Sequence, residues 1–317
     1  MKTMSGLLIF FLLNGCGQSY KTNLAKVLTS GVVYGKDNRA DADYNDLLNE
    51  NPELTPDQAE MLLGMSEATA GMVELGKHVK KNYDGSISPN KGLASLEERK
   101  GLCVGERFND QYTLPVCSGF LIGPDLLVTA GHCLSKDNFK DRIWIFGYNS
   151  KYSHNPEPTF SSDTIYFTKE VVLWEKDDLT KKDYAVIRLD RRVPGVPYFK
   201  IRNTGKIQNG DSLAIIGHPS GLPTKISASA KVLDASNENS IKTNLDSFGG
   251  NSGSVVVNIK TGKVEGILVS GAADYVDGNE DCQRVNTRKE EEGEEFITRI
   301  TLISSIPIHL RIHGFTN

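Results

Sequence analysis

The sequence has little net charge, few cysteines and no long apolar run, and each shortage narrows the class of protein. Its 317 residues carry a formal net charge of −4 at pH 7, whereas a nucleic-acid-binding domain would present a strongly basic face. The longest unbroken apolar run is Leu7–Leu13, far short of the ~20 residues that a membrane-spanning helix needs. With 38% hydrophobic residues, the chain can still fill a core.

The N-terminus has the form of an export signal. Lys2 gives a positive start, the apolar run Leu7–Leu13 follows, and the segment ends at Gly15-Cys16. This ending resembles a bacterial lipoprotein signal, in which cleavage before the cysteine leaves Cys16 to be lipidated, although Asn14 is unusual there. The resemblance implies a signal peptide over 1–16 and a protein that is periplasmic and membrane-anchored through Cys16. The alternative is ordinary secretion, with Cys16 lost in the signal.

The cysteine count fits an exported protein. Without Cys16, four cysteines remain: Cys103, Cys117, Cys133 and Cys282. An even number in an exported chain indicates two disulfides, and four cysteines allow three pairings. Cys117 and Cys133 flank a predicted strand–turn–strand segment, so they can face each other, which leaves Cys103 for Cys282. The alternative is that the thiols are buried and unpaired.

Residues 17–100 lack cysteine and have few sustained apolar alternations. One helix is indicated near 55–81, because Thr55-Pro56-Asp57-Gln58 combines an N-cap, a proline at the first helical position and a glutamine three residues after the cap. Apolar residues then recur every three or four positions. We interpret 17–100 as a prosegment or accessory region that packs on the main domain; the alternative is a flexible spacer. Arg99-Lys100 is a candidate processing site.

From residue 101 the pattern changes to short strands separated by turn signals. The predicted strands are 117–122, 126–129, 143–148, 164–174, 184–189, 212–217, 225–233, 240–245, 254–259, 264–270 and 295–303. Without a strong helical period, this spacing predicts an all-β barrel or sandwich. A proline-rich stretch at 193–197 separates five strands from six, so two small barrels would cover roughly 101–195 and 200–317.

Ser252 lies among small residues, with Gly249, Gly250 and Gly253 around it. A Gly/Ser turn is the plain interpretation of this stretch on its own. A serine hydroxyl becomes a strong nucleophile where a base takes its proton. Glycines beside it leave backbone N–H groups free to face a developing oxyanion, here those of Gly250 and Ser252.

Two other stretches place a base and an acid in the same chain. A predicted hairpin of two apolar strands, starting at Cys117, leads into a tight turn that carries His132, and a general base has to be held rigidly. Asp183 precedes a predicted buried strand, where its carboxylate could orient and charge-stabilise an imidazole. Each also has a structural interpretation, as a histidine that closes an apolar strand and a surface aspartate that begins one.

Together the three stretches resemble the trypsin-like, chymotrypsin-fold serine proteases over about 101–317. The shared motifs are Thr129-Ala130-Gly131-His132-Cys133, Asp183-x-Ala-x-Ile-x-Leu189 and Gly250-Asn251-Ser252-Gly253-Ser254, with a cysteine sixteen residues before Cys133. The resemblance implies two antiparallel six-stranded β-barrels with an N-terminal, partly helical extension. It also implies a serine endopeptidase that works through an acyl-enzyme and needs neither a cofactor nor a metal.

The resemblance assigns a role to each motif residue. Ser252 would be the nucleophile, His132 the general base and acid, and Asp183 the orienting acid. The N–H groups of Gly250 and Ser252 would form the oxyanion hole. The expected partners are protein or peptide substrates and no nucleic acid, and we expect a monomer. The rival hypotheses are a catalytically silent binding or adhesion protein on the same fold and a non-protease hydrolase.

Asn251 departs from the animal digestive enzymes, which carry an aspartate before the nucleophile. In those enzymes the aspartate pairs with a newly cut N-terminus and switches activity on, and a neutral amide cannot form that ion pair. The asparagine is typical of the bacterial glutamyl endopeptidase-like branch. Activation would then need another device, such as removal of residues 17–100.

Asp246 lies six residues before Ser252, at the place that forms the floor of the primary specificity pocket in trypsin-like enzymes. An aspartate there selects Arg or Lys, because a buried carboxylate needs a cation. The pocket-wall strand ends at Ser270-Gly271 and has no histidine of the kind that glutamate-specific members use. We expect a P1 preference for Arg or Lys, with an acidic P1 preference as the alternative.

Overall fold

The computed structural model describes residues 32–278 and 281–304. The predicted signal segment 1–16, including Cys16, lies outside these residues. In the described ranges, no helix is long and apolar enough to cross a membrane.

The described chain is mostly β-structure with four short helices. In chain order the strands are β1 (Val33–Tyr34), β2 (Ala40–Asp41), β3 (Thr69–Glu74), β4 (Val79–Lys81), β5 (Ile87–Pro89), β6 (Cys117–Leu121), β7 (Leu126–Thr129), β8 (Arg142–Phe146), β9 (Ile165–Asp177), β10 (Lys182–Leu189), β11 (Ser212–Gly217), β12 (Lys225–Asp234), β13 (Ser240–Thr243), β14 (Val255–Asn258), β15 (Lys263–Ser270), β16 (Tyr275–Asp277), β17 (Gln283–Val285), β18 (Thr287–Arg288) and β19 (Glu295–Arg299). The helices are α1 (Tyr44–Glu50), α2 (Pro56–Ser66), α3 (Leu96–Lys100) and α4 (Thr301–Ser304).

Six antiparallel strands close the first barrel in the order β10-β7-β6-β3-β8-β9. Six more form the second in the order β11-β14-β15-β19-β13-β12, and pairing of β11 with β12 closes it. The predicted pair of six-stranded antiparallel barrels is confirmed. One apolar cluster includes side chains of both barrels, among them Phe120 and Val255, so packing joins the two.

The predicted helix near 55–81 is wrong beyond residue 66. Its start is as expected, since Thr55 and Gln58 form a reciprocal capping box and Pro56 follows the cap. Residues 69–74 instead form β3, which fills the place between β6 and β8. Spacings of three and four do not exclude a strand, and ladder bonds on both edges of β3 override the local pattern.

The predicted domain boundary at residue 100 is also wrong. The first barrel begins with β3, so its sixth strand comes from the region interpreted as a prosegment. β2 extends the sheet of the second barrel by pairing with β12. β1 pairs with β18. Residues 32–100 therefore contribute to both barrels rather than covering them from outside.

Both predicted disulfides are present. Cys117 is bonded to Cys133, and Cys103 to Cys282. The first joins the start of β6 to the turn after β7, and the second joins the loop after α3 to the residue before β17. The first disulfide therefore has one end in a barrel strand, whereas both ends of the second lie outside the barrel strands.

Candidate active site

His132 and Asp183 form a hydrogen-bonded pair at the end of two neighbouring strands. His132 lies in a short 3₁₀ turn, Gly131–Cys133, just after β7, and β10 carries Asp183 beside it. One Asp183 oxygen lies 2.8 Å from Nδ1 of His132, and the other accepts the His132 backbone N–H at 2.9 Å. A carboxylate can only accept, so Nδ1 carries the proton and Nε2 is left as the basic nitrogen.

The turn that holds His132 has almost no free space behind it. A Cβ on Gly131 would come within 2.3 Å of the Glu175 carbonyl oxygen, so only glycine lets β9 approach this closely. The disulfide of Cys133 adds a covalent link to β6. The imidazole is therefore mounted on a rigid turn, as a general base requires.

Lys176 is a neighbour of the pair that the sequence analysis missed. Its Nζ lies 3.6 Å from the same Asp183 oxygen that bonds His132, and it also pairs with Asp178. Lys176 stands directly opposite Asp183 in the β9–β10 ladder. Only the strand register brings the two together, so no sequence motif could have indicated the contact.

Ser252 lies in the turn before β14 and lines the same cavity as His132. This cavity has a volume of about 170 Å³ and is lined by Val116, Cys117, His132, Phe248, Gly249, Gly250, Ser252, Leu268, Val269 and Ser270. The structure therefore brings the predicted nucleophile and base to one site, with apolar walls on the second-barrel side.

The backbone of the Ser252 turn is fixed nearly completely. Ser118 of β6 donates its backbone N–H to the Ser252 carbonyl and its Oγ–H to the Gly250 carbonyl, both at 2.8 Å. Asn251 donates to the Phe248 carbonyl at 2.9 Å. Among the described residues, the N–H groups of Gly250 and Ser252 have no acceptor. These two are the groups predicted to form the oxyanion hole.

The Asn251 side chain is bonded inside the molecule. It is 2% exposed, and its Oδ1 accepts the Ser254 Oγ–H at 3.1 Å. A Cβ on Gly217 would come within 2.7 Å of that Oδ1, so the end of β11 packs closely against the amide. The asparagine therefore has a partner in the uncut chain.

Of the three residues predicted for the specificity pocket, only Ser270 is among those that line the cavity. Asp246 is 2% exposed, and its carboxylate accepts the backbone N–H groups of Tyr34 at 2.8 Å and Asn38 at 3.2 Å. Gly271 lies against Glu295, because a Cβ on this glycine would overlap the Glu295 carboxylate. The N-terminal segment thus binds the predicted pocket floor.

Glu295, the first residue of β19, is a buried acid that the sequence analysis did not single out. It accepts hydrogen bonds from the Ser247 Oγ–H and from the Ala272 N–H at 3.0 Å. Burial raises its pKa well above the usual range. Burial likewise raises the pKa of Asp246 to about 7 and that of Asp274 to about 6. Three buried carboxyls with raised pKa values thus lie near one another in this part of the second barrel.

One group of metal-ligand residue types is present in the described ranges. The ligand atoms of Cys117, His132 and Cys133 lie within 4.8 Å of one another. The two cysteines are oxidised to a disulfide, and metals bind the thiolate form. This group is therefore not a metal site in the oxidised protein.

Comparison with known proteins gives a match to one family model and matches to many solved structures. Residues 117–267, a stretch that includes His132, Asp183 and Ser252, match the family model of the trypsin-like peptidase domain. The crystal structure of the serine endoprotease from Yersinia pestis matches with a TM-score of 0.48 and 16% identity, over 82% of this chain and 68% of that chain. Because the sequence identity and the TM-score are both low, we draw no functional inference from the structural match. No curated protein matches the chain.

Proposed function

We propose, from the trypsin-like peptidase match and the geometry of the site, that this protein is a serine endopeptidase. The observation that carries the proposal is the coincidence of three features in one cavity. These are the His132 ring held by Asp183, the Ser252 turn, and two backbone N–H groups that have no acceptor in the described part of the chain. A binding protein would have no need of this combination.

The proposed reaction runs through an acyl-enzyme. Ser252 Oγ attacks the carbonyl of the scissile bond while His132 Nε2 takes its proton, and Asp183 stabilises the imidazolium that forms. The N–H groups of Gly250 and Ser252 bind the developing oxyanion. His132 then protonates the leaving amine, and a water molecule activated by the same nitrogen releases the acyl group.

A larger cleft next to the triad fits an extended peptide. It has a volume of about 440 Å³ and is lined by Lys176, Asp177, Asp178, Lys181, Asp183, Asp234, Ser236, Asn237, Ser240, Lys242, Val269, Ser270 and Phe296. Val269 and Ser270 line both this cleft and the catalytic cavity. A substrate chain lying along the end of β15 would pass from one to the other, which favours an endopeptidase over an enzyme for small esters.

We propose a P1 preference for Arg or Lys, on a basis different from the one given by the sequence. Asp246 is bonded to backbone groups, whereas Glu295 lies directly behind Gly271 at the pocket wall. A cationic P1 side chain bound beside Glu295 would favour the charged form of this buried carboxyl and lower its raised pKa, as a neighbouring opposite charge does. The measurement is a peptide library varied at P1, with Glu295→Gln as the variant. Cleavage after Leu or Phe without a basic preference would instead assign specificity to the apolar walls.

Export and membership of the glutamyl endopeptidase-like branch complete the proposal. Two disulfides in one chain support an oxidising compartment, and Asn251 before the nucleophile supports the branch. Expression of the full chain with fractionation of cells would test export. Metabolic labelling with a fatty acid, with Cys16→Ala as the control, would test lipidation.

The central test compares the wild-type protein with Ser252→Ala. We expect wild-type protein to hydrolyse peptides and to be labelled by a serine-directed phosphonate, and we expect the variant to lose about 10⁶-fold in turnover. Ser162→Ala, at an exposed serine, is the matched control and keeps full activity. A well-folded wild-type protein that is neither labelled nor active would favour the silent binding protein.

A further inference from the structure

The two peptides that meet at Gly249 are each held by a hydrogen bond: the Phe248–Gly249 peptide through its N–H and the Gly249–Gly250 peptide through its carbonyl. Gly249 donates its N–H to the carboxylate of Asp274, at 3.0 and 3.2 Å from the two oxygens. The Gly249 carbonyl accepts the backbone N–H of Ser220 at 2.5 Å. In a planar trans peptide, the C=O and the following N–H point in opposite directions. Because the carbonyl faces Ser220, the Gly250 N–H faces away from it.

The two anchors are joined to each other. Tyr275, the residue after Asp274, has its hydroxyl 2.7 Å from Oγ of Ser220. Ser220 is one of the few non-glycine residues with a left-handed backbone, at φ 53°, a conformation that needs support from its surroundings. The bond to Tyr275 supplies such support and ties the 218–221 turn to the start of β16.

The space behind Gly250 is closed by the same turn. Gly250 has φ 100°, and a Cβ there would come within 2.4 Å of the His218 carbonyl oxygen. His218 in turn donates its backbone N–H to Oγ of Ser118 at 3.0 Å, and that hydroxyl donates to the Gly250 carbonyl. Rotation of the Gly249–Gly250 peptide would break the bond from Ser220, and the peptides on either side of it are held by their bonds to Asp274 and Ser118.

We propose that Asp274, which holds the Phe248–Gly249 peptide, and Ser220, which holds the Gly249 carbonyl, together fix the backbone at Gly249 so that the Gly250 N–H points into the oxyanion hole in the uncut chain. Asp274 is then a positioning residue for catalysis, and this replaces the ion pair that Asn251 cannot form. The inference rests on the proposed endopeptidase function and names the device that keeps that site competent without cleavage of the chain.

Asp274 is a carboxylate at neutral pH, as an acceptor for the Gly249 N–H should be. Burial raises its pKa to about 6, while the N–H of Gly249 and the cations Lys100 and Arg39 act in the opposite direction. The buried carboxyl of Glu295 is the acidic neighbour. Above that pKa the group is a carboxylate, which accepts the N–H more strongly than a neutral acid does.

The test uses the full chain with Asp274→Ala and Asp274→Asn. We expect Asp274→Ala to lower kcat by about 10²–10³-fold, as loss of one oxyanion donor does, with little change in KM. A peptide aldehyde, whose tetrahedral adduct places an oxygen in the hole, should lose affinity by a similar factor. Asp274→Asn keeps an acceptor oxygen and should recover part of kcat.

Asp277→Ala, at an exposed aspartate three residues further along the chain at the end of β16, is the matched control and should keep wild-type kinetics. A folded Asp274→Ala with wild-type kcat would overturn the proposal. So would an equal loss of affinity for substrate, product and aldehyde together with a lower melting temperature, since that marks a purely structural role. If Asp274→Ala does not fold, Asp274→Asn provides the test. We expect it to have a lower kcat and weaker aldehyde binding than the wild type, and wild-type values of both would overturn the proposal. An inactive wild-type protein would instead overturn the endopeptidase function itself.

Discussion

Asp183 contacts His132 twice, and the two contacts do different things. The bond to the backbone N–H fixes the turn, and the bond to Nδ1 fixes the ring and its tautomer. Lys176 adds a cation next to the same carboxylate. A single residue thus connects the rigid frame of β10 with the orientation and tautomer of the imidazole.

Replacement of Asp183 by Asn should leave the fold intact and reduce kcat by about 10⁴-fold, because an amide NH₂ toward Nδ1 favours the wrong tautomer. Steady-state kinetics on a peptide substrate would measure the loss. Asp110→Asn, at an exposed aspartate outside both cavities, is the control. A variant with wild-type kcat would contradict the role of Asp183.

Asp246 should affect stability in a pH-dependent way. Burial raises its pKa from 3.8 to about 7, so the folded state holds the proton more tightly than the unfolded state. The stabilisation is complete below the unfolded pKa and is lost as pH rises from about 4 through 7. We expect Asp246→Asn to lose less stability than the wild type over this range, measured by urea unfolding. Parallel curves for the two proteins would contradict this assignment.

Among the elements, β3 is the one that local sequence could not identify. Eleven of the twelve barrel strands follow from alternation and turn signals in the sequence. β3 has helix-like spacing and follows a well-capped helix. Its strand conformation depends on hydrogen bonds to β6 and β8, residues that are distant in sequence, so no window of a few residues contains the information.

Two glycines on either side of the helix–strand junction should respond oppositely to alanine. A Cβ on Gly71 in β3 would come within 2.5 Å of Pro115 Cγ, whereas nothing lies within 4 Å of one on Gly64 in α2. We expect Gly71→Ala to cost about 1–3 kcal/mol through overpacking. We expect Gly64→Ala to gain up to about 1 kcal/mol from helix propensity. Chemical denaturation would measure both, and equal shifts would contradict the assignment of residue 71 to a packed strand.

For the whole molecule, the main consequence is that residues 32–100 are part of the catalytic fold. They supply β3 to the first barrel and β2 to the second-barrel sheet, and backbone N–H groups from this region bind Asp246. Removal of residues 32–100 on activation would therefore remove β2, β3 and the backbone N–H groups that bind Asp246. The proposed fixing of the backbone at Gly249 by Asp274 and Ser220 would keep the oxyanion hole formed without such removal.

We expect a fragment of residues 101–317 to be unfolded and inactive, because loss of β3 leaves the edges of β6 and β8 unpaired. Circular dichroism and limited proteolysis, with the full chain as the reference, would measure this. A folded 101–317 fragment that hydrolyses peptides faster than the full chain would restore the prosegment interpretation.

The sequence by itself determined the all-β class, most of the strands, the two disulfides and the candidate triad. These depend on local alternation, on turn residues and on short motifs whose members are close in the chain. Only the tertiary structure decided the origin of the sixth strand, the backbone groups that bind Asp246, and the groups of Asp274 and Ser220 that hold the backbone at Gly249. Each of these joins residues far apart in sequence, and barrel closure brings them together.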